Sequence, residues 1–254
     1  MENLNITIIQ SDLYWEDKEA NLHAFSKKIE SITEATDLII LPEMFTTGFS
    51  MKSKELAETM EGKTVSWMKQ MAKEKNCVIT GSFICKENKY YNRLLWVSPN
   101  GVARRYDKKH LFSMGGEDKH YTAGDKRVIV TLKDWRICPL ICYDLRFPVF
   151  SRNTKRDPYD VLIYVANWPG LRSEAWKTLL LARAIENQCY VAGVNRVGVD
   201  GNFVMHPGLS VVIDPKGHPI CQTETEKEDI QTVTLVWEEL ETFRKKFPVL
   251  KHAD

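Results

Sequence analysis

No apolar run in this sequence approaches the roughly 20 residues that a bilayer-spanning helix requires. The opening Met-Glu-Asn-Leu-Asn-Ile-Thr-Ile-Ile carries an acid early and only a short apolar run, unlike a secretory leader with its basic start and longer apolar core. A cytoplasmic address with no membrane partner is therefore expected. An excess of either charge is also missing, since 35 Lys plus Arg face 34 Asp plus Glu. The short basic pairs Arg104-Arg105 and Lys108-Lys109 are flanked by apolar segments, which gives no electrostatic case for nucleic acid. Low-complexity blocks, linkers and charge runs are absent as well, and 43% hydrophobic with 27% charged residues is ordinary globular usage. One domain over residues 1–254 is the expectation.

Cysteine is present but unorganised. The six cysteines (77, 85, 138, 142, 189, 221) mostly sit in Val/Ile/Leu-rich runs, where the thiol behaves as a small buried hydrophobe, and no disulfide framework follows. Cys138 and Cys142 would share one face of a strand about 13 Å apart, too far to bond to each other. No second Cys/His pair has ligand spacing, so no metal site is expected.

Strand and helix patterns alternate instead. Residues 5–10 read as a strand, and 18–33 as an amphipathic helix with Leu22, Phe25, Ile29 and Ile32 on one face. Asp37 to Pro42 is a nearly continuous apolar strand, the pattern of one covered on both faces. A helical section at 53–75 precedes strands at 77–84, 90–97 and 102–106, then 127–132 and 135–141 joined by Lys133-Asp134 as a hairpin. A helix from Pro148, a strand 160–167, a long helix 172–188 and a strand 189–195 follow. Hairpin strands at 209–214 and 218–223, a strand 231–236 and a short helix complete the chain. Mixed α/β sheets covered by helices are predicted, with open strand ends as the natural place for a site.

Cys142 stands at such an end, where "CPLICYDLRFP" turns from apolar to polar. A nucleophile on a strand-to-helix turn projects at the sheet edge, and the following backbone N–H groups face a developing oxyanion. Taken alone, a cysteine in an apolar strand is more often a packed core thiol. A nucleophilic thiol needs a base. His110, in Tyr-Asp-Lys-Lys-His-Leu-Phe, is the best-placed histidine, although no cysteine-protease signature surrounds Cys142. His23 and His252 sit in surface-like contexts, His206 and His218 in turns. The alternative is Glu43 in Leu-Pro-Glu-Met-Phe, a carboxylate that partial desolvation at a strand end would raise toward working pH. Lys108 would favour thiolate and stabilise an anionic tetrahedral intermediate. Ser66-Trp-Met-Lys69 fits a serine-acylase S-x-x-K pattern but lacks its companion motifs.

Leu-Pro-Glu43-Met-Phe, Tyr-Asp-Lys108-Lys-His-Leu-Phe and Leu-Ile-Cys142-Tyr-Asp-Leu-Arg-Phe-Pro resemble, in this order, the three blocks of the nitrilase (carbon–nitrogen hydrolase) superfamily. The similarity extends along almost the whole chain, including Ala166-Asn-Trp-Pro169 and Ala182-Arg-Ala-Ile-Glu-Asn-Gln188, and is greatest to the bacterial ω-amidase branch. The resemblance implies a four-layer α-β-β-α sandwich, a Glu43-Lys108-Cys142 triad, and homodimers or larger homo-oligomers. It implies no metal and no organic cofactor. Glu117 matches the family's second glutamate and would position Lys108 or substrate, and the Tyr143 backbone N–H would join Lys108 in holding the oxyanion. The expected substrate is a small-molecule amide, the terminal amide of a dicarboxylic acid monoamide such as α-ketoglutaramate. Arg146 and Arg172 are candidates for its distal carboxylate, because arginine binds carboxylates bidentately. Asn167 and Trp168 would form the pocket wall. A sibling amidase acting on deaminated glutathione or an N-carbamoyl compound, a nitrilase, and a catalytically silent scaffold are the alternatives.

Overall fold

The computed structural model describes residues 1–252. The first half runs β1 (Leu4–Gln10), α1 (Lys18–Glu30), β2 (Leu38–Ile40), α2 (Ser53–Leu56), α3 (Lys63–Lys75), β3 (Val78–Lys86), β4 (Tyr90–Val97), β5 (Ala103–Asp107) and the single-turn α4 (Glu117–His120). The second half runs β6 (Val130–Leu132), β7 (Trp135–Ile141), the single-turn α5 (Pro148–Ser151), β8 (Val161–Ala166), α6 (Ser173–Asn187), β9 (Tyr190–Asn195), β10 (Val197–Val199) and β11 (Met205–Pro207). Then come β12 (Val211–Ile213), β13 (Pro219–Gln222), β14 (Asp229–Leu235) and α7 (Trp237–Lys246). Among the described residues no helix is long and apolar enough to cross a membrane.

Two six-stranded sheets have the orders β14-β1-β2-β3-β4-β5 and β13-β12-β9-β8-β7-β6. Their centres, β1-β2-β3 and β7-β8-β9, are parallel, and antiparallel strands extend the edges. Period-two alternation decides which core each side chain joins. Leu38, Ile40, Val78 and Leu94 pack inward against residues of the second sheet such as Ile137, Ile141 and Ile163. Ile39, Leu41, Ile79 and Leu95 face outward, onto Phe25 and Ile29 of α1 and Met68 and Ala72 of α3. Trp176, Leu180 and Ala184 of α6 cover the second sheet. The result is the four-layer sandwich, and both sheet faces being covered explains why β2 is apolar throughout. Each fully buried Leu, Ile or Phe stabilises the fold by about 1.5–3 kcal/mol relative to exposure.

Several boundaries differ from the sequence expectation for identifiable reasons. The helical section splits because the Glu58 side chain accepts the Thr64 backbone N–H and starts α3 afresh. The predicted helix at Pro148 is one turn, preceded by a 3₁₀ turn over Cys142–Arg146. Lys133 and Asp134 both have positive φ, 48° and 68°, as a two-residue hairpin loop requires. The β10–β11 hairpin was not anticipated, and it places His206 on a buried strand rather than in a turn.

Candidate active site

The parallel centres point the same class of strand end toward one cavity of about 600 Å³. Glu43 follows β2, Lys108 follows β5, Cys142 follows β7 and Asn167 follows β8. Gly81 lets the Pro42-Glu43-Met44 turn lie against β3, since a Cβ there would sit 2.9 Å from Leu41 Cβ. Met44, at φ 42°, donates its N–H to Ser82 Oγ at 2.8 Å, which holds the turn. Gly124 packs its backbone onto Asp107 and donates to the Lys108 carbonyl at 2.9 Å; a Cβ there would overlap Asp107 O.

Glu43, Lys108, Glu117 and Asn92 form one buried cluster. Lys108 Nζ donates to Glu43 Oε1 at 2.9 Å and to Glu117 Oε2 and Oε1 at 2.9 and 3.1 Å. Asn92 Nδ2 donates to Glu43 Oε1 at 2.8 Å and to Glu117 Oε1 at 3.1 Å. Glu43 Oε2 accepts the Asn167 backbone N–H at 2.8 Å, and Glu117 Oε2 accepts that of Phe112 at 2.6 Å. Burial pulls the Lys108 pKa down, but Glu117 and Glu43 outweigh it and hold the pKa well above the ordinary lysine value. Burial pushes the Glu117 carboxyl up, with Lys108 opposing and Glu43 adding to the rise.

Cys142 opens the 3₁₀ turn with φ 43°, a left-handed conformation that a non-glycine residue adopts only when its surroundings hold it there. Burial pushes its thiol far above the usual range and the Glu43 charge adds to the shift, while Lys108 pulls the other way. The resting group is therefore a thiol, and attack needs a base. The Tyr143 N–H lies in the first turn of this 3₁₀ segment, where N–H groups have no intrahelical acceptor. All six cysteines are free, and Cys138 lies wholly buried on β7.

The cavity is lined by Cys142, Lys108, Tyr143, Asn167 and Trp168, with Phe49, Phe112, Met114, Arg146 and Arg172 among its other walls. Arg146 lies over the Trp168 ring, 5.1 Å from its centroid, and Arg172 over Phe112 at 5.0 Å. Neither has an acidic partner among the described residues, so both guanidinium groups remain available to an anion. Asn167 is fixed by donating its Nδ2 to the Glu43 carbonyl at 2.5 Å, and Trp168 Nε1 donates to the Arg172 carbonyl at 2.8 Å.

The structure does not bring His110 to the thiol as a base. Its Nδ1 faces Asp144 Oδ1 at 2.8 Å and its ring stacks on Phe147 at 3.7 Å. Asn92 and Asp144 escaped the sequence reading. Asn92 carried only a weak signal, an amide beside Arg93 in a strand whose other residues are apolar or aromatic. Asp200 and His206, from β10–β11 and its turn, also line the cavity and lie 3.3 Å apart.

The carbon-nitrogen hydrolase family model matches residues 5–245. This chain belongs to that family. Among its carbon-nitrogen hydrolase relatives, the chain is 47% identical to omega-amidase YafV of Escherichia coli K12, over 100% of this chain and 98% of that one. It is 33% identical to 2-oxoglutaramate amidase of Bacillus subtilis, over 96% and 95% of the two chains. XC1258 of Xanthomonas campestris, a CN-hydrolase superfamily protein whose crystal structure holds an arsenic adduct in the active site, is 44% identical. It superposes with a TM-score of 0.97 over 100% of this chain and 98% of that one.

Proposed function

We propose that the chain is an ω-amidase that hydrolyses the terminal amide of short dicarboxylic acid monoamides, 2-oxoglutaramate foremost, to the acid and ammonia. The observation that carries this is a buried Glu43–Lys108–Glu117 cluster meeting Cys142 in a cavity whose other walls hold two arginines without acidic partners among the described residues. Full-length similarity to an omega-amidase and a 2-oxoglutaramate amidase supports the substrate class.

The chemistry follows from the protonation states. Glu43 takes the Cys142 proton as sulfur attacks the amide carbon. The oxyanion is held by Lys108 Nζ and the Tyr143 N–H, and Glu43 returns the proton to the departing nitrogen, leaving a thioester. Glu43 then draws a proton from water as the water oxygen attacks the thioester, and passes that proton to the departing Cys142 sulfur, releasing the acid and restoring the thiol. Glu117 stays bonded to Lys108 and keeps its ammonium in place. Arg146 and Arg172 would take the distal carboxylate, with Asn167 and Trp168 as wall. We further read one hydrolase domain over residues 1–254, acting in the cytoplasm as a homodimer or larger homo-oligomer, without nucleic-acid or membrane partners. The exposed Val149, Leu171 and Phe203 are consistent with a subunit interface, which light scattering tests.

Ammonia release from 2-oxoglutaramate, succinamate, an N-carbamoyl amino acid and a dicarboxylic mononitrile, with cysteinylglycine release from deaminated glutathione, tests the assignment. The first two should lead. Cys142→Ala, folded by circular dichroism, should be inactive on all of them, and a wild-type rate would sink the thioester mechanism.

A further inference from the structure

Asp144 is wholly buried two residues after Cys142 and has no part in the steps above. Its Oδ2 accepts the Tyr106 hydroxyl at 2.6 Å and the Ile141 backbone N–H at 3.1 Å. Its Oδ1 accepts the His110 backbone N–H at 3.0 Å and faces His110 Nδ1 at 2.8 Å. The Tyr106 hydroxyl in turn accepts the Lys109 N–H at 3.0 Å. These donors come from two separate segments. Tyr106, Lys109 and His110 bracket Lys108, and Ile141 immediately precedes Cys142. We propose that Asp144 is the positioning residue that sets the Lys108 ammonium against the Cys142 nucleophile, a role that rests on the assignments made above.

Three features support this. A carboxylate is the one side chain that accepts from four donors at once, two on each oxygen, without carrying a donor of its own. The bond from Ile141 closes the turn in which Cys142 holds its left-handed backbone, a conformation that persists only when its surroundings over-determine it. A carboxylate facing Nδ1 also fixes the proton on that nitrogen, and stacking on Phe147 locks the ring, so His110 serves as a strut. The strut joins the end of β5 to the end of β7, strands of different sheets. Displacing a reacting group by about 1 Å costs on the order of 100-fold in rate, so a tie between the two sheets acts on turnover rather than on substrate affinity.

The test compares kcat and KM on 2-oxoglutaramate for Asp144→Asn, Tyr106→Phe and Cys142→Ala, with circular dichroism and thermal unfolding on each. Asparagine keeps the shape but turns an NH₂ toward a backbone N–H of either Ile141 or His110. A folded Asp144→Asn should lose about 100-fold in kcat with KM within about threefold. Tyr106→Phe removes one donor of four and should lose about tenfold in the same sense. If Asp144→Asn lowers only the melting temperature and kcat per folded molecule stays at wild type, the positioning role is wrong. If Asp144→Asn does not fold, Tyr106→Phe decides, and an unchanged kcat there overturns the proposal. An active Cys142→Ala instead overturns the underlying mechanism, so the two failures are distinguishable.

Discussion

Behind Cys142, the side chains of Glu43, Lys108, Glu117 and Asn92 are buried and hydrogen-bonded to one another, whereas at the cavity mouth Arg146 and Arg172 lie over aromatic rings with no acid among the described residues to neutralise them. The difference teaches what each region is built to do. A buried ion cluster gains little net stability, because desolvating the charges offsets most of their attraction, and its benefit is a fixed electrostatic geometry aimed at a developing charge. An arginine resting on an aromatic face keeps its donors free and its plane oriented, which suits capture of a carboxylate from water. The inner region should govern turnover and the mouth should govern selection.

Breaking the inner region gives the largest effect. Lys108→Met should lower kcat/KM by on the order of 1,000-fold, since it removes the oxyanion donor of the proposed mechanism and the ammonium that donates to Glu43. It also leaves two buried carboxylates facing each other, at a cost of about 3–5 kcal/mol, read as a lower urea midpoint. Near-normal turnover in this variant would erase the distinction between the two regions. At the mouth, Arg146→Ala and Arg172→Ala should raise KM for 2-oxoglutaramate by roughly 10- to 100-fold, the loss of one charge-assisted hydrogen-bonded contact. A neutral monoamide of the same chain length should be nearly unaffected. Equal losses on both amides would mean that the arginines shape the pocket rather than read charge.

The same contrast sets what the sequence disclosed. Glu43 and Cys142 each sit at the end of an apolar strand, a local signal, whereas Lys108 follows the charged strand Ala103–Asp107, and the structure gathers all three with Glu117. The roles of Asn92 and Asp144 were harder to read, because their partners lie 49 and 34 residues away and meet only through the sheet order. His110 illustrates the reverse case: its position in sequence suggests a base, yet the fold gives its Nδ1 to Asp144. The β10–β11 hairpin was illegible because its strands are only three residues long, too short for an alternating pattern to stand out. Residues of that hairpin complete the cavity wall, so the mouth was less readable than the interior.

A third prediction separates the two cysteines of one strand. Burial pushes the Cys138 thiol up to about 12, and Cys77 likewise to about 12. The folded state thus keeps protons that the unfolded chain releases above its ordinary thiol pKa near 8.5–9. Stability is intact below that value and falls as pH rises from there toward about 12, by about 1.4 kcal/mol per pH unit for each such thiol. Melting temperature measured from pH 8 to pH 11 should therefore decline, and Cys138→Ala should make the decline shallower. Turnover per folded molecule at pH 8 should match wild type in that variant, in contrast to Cys142→Ala. A slope unchanged by Cys138→Ala would show that other groups carry the alkaline loss.

The smallest effect belongs to a site outside both regions. Asp17 caps α1 by accepting the Ala20 backbone N–H at 3.0 Å, on the outer layer of the first sheet. Asp17→Ala leaves that donor to water and should cost about 1 kcal/mol in chemical denaturation, which Asp17→Ser should largely restore. Because α1 meets the sheet through Leu22, Phe25 and Ile29, on the face turned away from the cavity, kcat and KM should both stay at wild type. A change in either constant at unchanged fold would show that strain in the outer helical layer reaches the catalytic cluster, and the separation between a rigid interior and an independent scaffold would then have to be redrawn.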